Sequence, residues 1–130
     1  MTSRKNFSSG ARWEPIVGYS RAVRIGNVIE VSGTCAVDAD GNPMGPGDPY
    51  VQTKRSLEII ANAIQTLGGN LHDVIRTRIY VTDIRQWEEI GKAHGEIFSE
   101  IRPATTMIEV SNLISPEYLV EIEATAILTS

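Results

Sequence analysis

The acidic residues near the C-terminus are the part of this chain best placed to do chemistry. In Leu119-Val120-Glu121-Ile122-Glu123-Ala124 two glutamates alternate with aliphatic residues, so on a strand both project from one face. A carboxylate held there can orient a water or shuttle a proton. It can equally pair with arginines of a neighbouring strand, and Arg76 and Arg78 have the matching alternation. Upstream, Thr105-Thr106-Met107-Ile108-Glu109 sets two hydroxyls and a third glutamate on one short run, with Glu109 on the same strand face as Thr105 and Met107. Both threonines can bond a ligand, although threonine is also an ordinary strand residue.

The other reactive groups give weaker signals. Cys35 is the only cysteine, so no intrachain disulfide can form. As a nucleophile it would need a neighbour that lowers its pKa, and neither histidine is adjacent in sequence; a small buried apolar residue is the simpler reading. His94 falls on the apolar side of a helical pattern, seven residues after Trp87, where a hydrogen-bonded core or interface histidine fits as well as a base. His72 sits in a turn beside Asp73. Two isolated histidines give no metal-ligand spacing, and no cofactor motif is present. Gly41, Gly45 and Gly47 are interrupted by prolines and lack the strand-to-helix context of a phosphate loop. Trp13 and Trp87 read as packing residues, with Trp13 also able to cover a cleft mouth.

These side chains must be positioned by an α+β fold. Residues 1 to about 12 are polar and read as a mobile lead-in, followed by an irregular segment over Trp13–Tyr19, which contains Pro15 and Gly18. Arg21–Ile25 and Val28–Ser32 form a hairpin around Gly26-Asn27. Asp48-Pro49 opens a helix that runs to Leu67 with Leu57, Ile60, Ala61, Ile64 and Leu67 as its apolar stripe, stopped by Gly68-Gly69. Asp73–Thr82 alternates as a strand, with Ile75, Thr77, Ile79 and Val81 on the buried side. Asp83 and Gln86 have capping-box spacing for a second helix to about Ile101, with Ile84, Trp87, Ile90, Phe98 and Ile101 facing inward. Pro103 ends it, and two strands close the chain, Thr105–Val110 and Tyr118–Leu128. The order ββαβαββ predicts a sandwich with both helices on one side of the sheet. Its other face carries Arg76, Arg78, Tyr80, Glu121 and Glu123, a mixture that fits solvent and a subunit interface equally.

Composition sets outer limits. A chain of 130 residues with 42% hydrophobic and 22% charged residues is expected to be one domain. No apolar run approaches the roughly 20 residues of a membrane span, and no secretion segment is apparent, so a cytoplasmic protein with no membrane partner is expected. A formal net charge of -4 argues against general affinity for nucleic acid.

Six short runs, in order along these elements, resemble the Rid family (YjgF/RidA-like, also called the L-PSP endoribonuclease family). They are Gly18-Tyr19-Ser20-Arg21-Ala22, Val31-Ser32-Gly33, Val74-Ile75-Arg76-Thr77, Tyr80-Val81-Thr82-Asp83, Arg102-Pro103-Ala104 and Val120-Glu121-Ile122-Glu123-Ala124. The resemblance covers Trp13 to the C-terminus. It implies a chorismate-mutase-like fold and a homotrimer, sheets inward and helices outward, with small-molecule clefts between neighbouring subunits. In the family's imine-hydrolysing members a cleft arginine grips the carboxylate of a 2-imino acid, and a glutamate positions water. By motif position Glu121 matches that glutamate and Tyr19 a cleft tyrosine, while Gly33 and Thr34 lie on the loop that approaches the ligand. Thr105, however, stands where the arginine would be, and Gly91 where many members have asparagine. A guanidinium fork matches a carboxylate bidentately, and its loss costs a few kcal/mol of binding, on the order of several hundredfold in affinity. The resemblance therefore implies a metabolite-binding protein with Thr105, Thr106 and Glu109 beside Glu121. Imine or enamine hydrolysis with altered selectivity, a ligand sensor without turnover and, third, a ribonuclease remain the competing functions.

Overall fold

The computed structural model describes residues 3–129. Six strands and two helices follow in the order β1 (Arg4–Phe7), β2 (Ala22–Ile25), β3 (Val28–Thr34), α1 (Pro49–Thr66), β4 (Val74–Val81), α2 (Trp87–Phe98), β5 (Ala104–Glu109) and β6 (Val120–Ile127). They make one mixed sheet in the order β1-β2-β3-β6-β4-β5. Only β4 and β5 run parallel, because α2 carries the chain back across the sheet between them. Both helices cover one face. Ile29, Val31, Ile79, Val81, Val120, Ile122, Ala124 and Ala126 from the strands meet Leu57, Ile60, Ile64, Ile90 and Phe98 from the helices in a single core. The α+β class with helices on one side is as the periodicity predicts.

Four local expectations need correcting. The expected lead-in contains a strand: Arg4–Phe7 pairs antiparallel with β2, Arg4 opposite Ile25 and Phe7 opposite Ala22. Backbone pairing to an otherwise open strand holds it, and Phe7 packs against the core, which polar composition conceals. Residues 1 and 2 of that lead-in lie outside the described residues. Secondly, Ile75 does not face the core. The pairing of β4 with β6 shifts between Val74 and Arg76, so Val74 is buried and Ile75 is turned out at 48% exposure. Thirdly, Ala63 rather than Ala61 completes the α1 stripe. Fourthly, Asp83 caps a 3-10 turn, accepting from the Arg85 amide, and α2 itself begins only at Trp87. Trp87 and Ile84 are consequently exposed.

Two polar residues tie elements together. Gln52, fully buried on α1, donates to the carbonyls of Gly45 and Glu117 and accepts from the Leu119 amide, clamping the loop before α1 to the start of β6. At the other end of α1, Arg24 donates to the Leu67 carbonyl, one of the acceptors that a helix terminus leaves without a partner.

Candidate functional site

Two groups of polar side chains emerge, and they point to opposite sides of the sheet. The first is centred on Glu121. Between Val31 and Thr34, β3 carries one residue more than β6, so Val31 faces Ala124 and Thr34 faces Ile122. This bulge keeps Thr34 on the core side, buried, and turns the next residue, Cys35, toward Glu121 on the open side. The Cys35 thiol donates to Glu121 Oε1 at 3.3 Å. Gly33 lies directly beneath the same carboxylate, where a β-carbon would collide with its oxygen. Burial and the adjacent glutamate push the Cys35 thiol well above its ordinary range, so it is a proton donor to Glu121 and not a nucleophile.

Arg21 underlies this cluster, and sequence reasoning missed it. The residue is 7% exposed, and its guanidinium donates to the Gly33 carbonyl at 2.7 Å and to Thr34 Oγ1 at 3.0 Å. It also lies over the Tyr19 ring, 5.5 Å from the ring centre, with a longer contact of 3.4 Å to the Tyr19 hydroxyl. Tyr19, Gly33 and Thr34 are therefore gathered around one buried cation, and Glu121 adjoins them over Gly33 and beside Cys35. The available signal was position: Arg21 sits two residues from Tyr19 on β2's approach, and β2 pairs with the strand carrying Gly33. Tyr19 itself is presented by a π-helical turn, Glu14–Gly18, closed by the Tyr19 amide donating to the Glu14 carbonyl. The Glu14 side chain is buried and accepts from the Ser9 amide and hydroxyl and the Ala11 amide. Burial alone would raise its pKa, but these hydrogen bonds outweigh it and hold the carboxyl below its usual range.

Further along the open face, Glu123 is paired as the alternation allows. It accepts from the Tyr80 hydroxyl at 3.0 Å and lies 3.6 Å from Arg78. Arg76 donates to Thr106 Oγ1.

The second group lies on the edge strand β5. Thr105 pairs with Thr77 in parallel register, so it projects to the helix-covered side, whereas Glu121 pairs with Tyr80 and projects to the open side. Thr105 Oγ1 is 2.8 Å from Thr77 Oγ1, which is 2.9 Å from His94 Nε2. Thr105 also reaches the Pro103 carbonyl at 3.2 Å. His94 is thus a hydrogen-bonded partner of β4, and burial lowers its pKa. Glu109, on the same side as Thr105, accepts from the Ile84 amide at the start of the 3-10 turn. A single chain gathers Tyr19, Gly33, Thr34 and Glu121 but separates them from Thr105 and Glu109, while Thr106, exposed, projects to the open side with Arg78. Among the described residues no three acidic, histidine or cysteine side chains converge as a metal site, and no helix is long and apolar enough to cross a membrane. A surface depression lined by Pro46, Asp48, Pro49, Tyr50, Glu89 and Lys92 shares no residue with either group.

The same fold recurs in known proteins. Residues 9–128 match the family model described as endoribonuclease L-PSP. A crystal structure of a member of the YjgF/YER057c/UK114 family from Mycobacterium tuberculosis superposes with a TM-score of 0.89 at 48% identity, covering 97% of this chain and all of that one. An uncharacterised protein of Streptomyces coelicolor is 38% identical over 97% of this chain and 95% of its own length. A RutC family protein of Pyrococcus abyssi is 34% identical over 87% of this chain and 88% of its own. The chain belongs to the endoribonuclease L-PSP family, the YjgF/Rid group whose motifs its sequence resembles.

Proposed function

We propose that the protein is a homotrimer that binds a small metabolite in clefts between neighbouring subunits and hydrolyses an imine or enamine there, without the arginine-dependent selectivity for 2-imino acids. The observation that carries this reading is the Glu121 cluster. Its carboxylate is half-buried, fixed by Cys35 on one oxygen and backed by Gly33, yet free of any ion pair among the described residues. Such a group can take a proton from water as the oxygen adds to the imine carbon and return it to the departing nitrogen, which leaves as ammonia. Thr105 supplies no charge to hold a carboxylate. The projection of Thr105 and Glu121 to opposite sides of one sheet supports assembly, since a cleft lined by both needs two copies.

The test generates amino-acid-derived imines in situ with an oxidase and follows keto-acid release. Slow turnover is expected for the native chain, with a gain in Thr105→Arg and loss in Glu121→Gln. Turnover by the native chain as fast as in an arginine-bearing relative would refute the altered selectivity. A ligand sensor is the second reading, favoured by Glu121 Oε1 being already occupied by the thiol; it predicts melting shifts with a metabolite and no product. Ribonuclease activity is disfavoured by the net charge of -4 and by the separation of His94 from the Glu121 cluster.

A further inference from the structure

The chain of hydroxyls at β5 points to the kind of ligand group that Thr105 accepts. Three contacts must be supplied with protons: His94 Nε2 to Thr77, Thr77 to Thr105, and Thr105 to the Pro103 carbonyl. Each hydroxyl has one proton to give. If His94 carries its proton on Nε2, it donates to Thr77, Thr77 donates to Thr105, and Thr105 donates to Pro103. All three contacts are then filled. If Nε2 is bare, Thr77 donates to His94 and Thr105 to Thr77, which leaves the Pro103 contact empty. The first arrangement satisfies more partners. In both, the sole proton of Thr105 is committed to a protein acceptor, and its oxygen keeps a lone pair that a ligand donor can meet.

We infer that Thr105 is a specificity residue for a hydrogen-bond donor, such as an amide, amidine or iminium N–H, and that it disfavours a carboxylate. This rests on the proposed cleft, in which Thr105 faces the ligand. The inference follows from proton counting: that lone pair meets a donor favourably and an anionic oxygen unfavourably. Glu109 lies on the same side of β5, and its carboxylate accepts from the Ile84 amide, so it adds negative charge and no donor. Arg102 is the one cation close in sequence; it follows the turn after α2 in a left-handed backbone conformation, φ 54°, with its side chain exposed.

Matched probes test this on the full-length protein. Benzoate, benzamide and benzamidine share a ring and differ in the group offered. Each is titrated while the methyl signals of labelled threonines are followed. Benzamide and benzamidine are expected to move the Thr105 signal and to bind at least about tenfold more tightly than benzoate, a difference of one hydrogen bond. Thr105→Val, which keeps the shape and removes the acceptor, should abolish the preference, and Thr105→Ser should keep it. Benzoate moving Thr105 with equal affinity, or binding there in a manner lost in Arg102→Ala, overturns the donor preference and leaves the cleft standing. Signals that move only around Glu121, never at Thr105, overturn the placement of Thr105 in the cleft and the inference with it.

Discussion

Glu121 owes its position to a side chain that is absent. Gly33 lets the carboxylate lie flat against β3, and Cys35 donates to it from the next turn of the bulge. Gly33→Ala must push the flexible end of Glu121 aside, which costs little stability but moves the carboxylate. Urea unfolding should change little, while the variant should lose any imine turnover. The thiol contact makes a separate prediction. Since burial and Glu121 hold Cys35 protonated, disulfide reagents should label it far more slowly in the native protein than in denaturant at the same pH. Equal rates would contradict the assigned contact. Arg21 shows what one-dimensional reading overlooks. Its sequence neighbours marked Tyr19, but burial of its charge among carbonyl and hydroxyl acceptors depends on β3 folding beside it.

At the level of elements, strongly periodic segments were legible and the irregular ones were not. The α1 stripe, its Asp48 cap and the alternation of β6 follow from spacing alone. Both bulges escaped, because an inserted residue leaves composition unchanged while it reverses which side chains face the core. Val74 and Ile75 exchange places for this reason. The turn that presents Tyr19 depends on a carboxylate held below its ordinary pKa of 4.5. Its stabilisation is complete above that value and disappears as pH falls through the lower folded value. Glu14→Gln should therefore melt lower than the native chain at pH 7, with the gap closing toward pH 3. His94 acts over a higher range. Its folded pKa lies below the ordinary 6.5, so the unfolded chain takes up a proton that the fold refuses, and stability falls as pH drops below about 6.5. In His94→Gln the slope of melting temperature between pH 7.5 and 5.5 should flatten.

The molecule as a whole divides its polar chemistry between two sides of one sheet. If neighbouring copies complete the cleft, light scattering should give three times the chain mass, and dilution to monomer should abolish ligand binding. A monomer that binds and turns over ligand unchanged would exclude the interfacial cleft. The N-terminal strand matters at this scale too. Arg4 and Lys5 lie along the outer rim beyond β2, where like charges discourage stacking of one molecule on the next. Cutting away Arg4–Phe7 would remove Phe7 from the core's edge and bare the rim of β2 with the backbone groups that had paired to β1, and such a truncated chain is expected to aggregate by strand addition. On this view a short polar segment that looks dispensable in the sequence is the molecule's safeguard against polymerising.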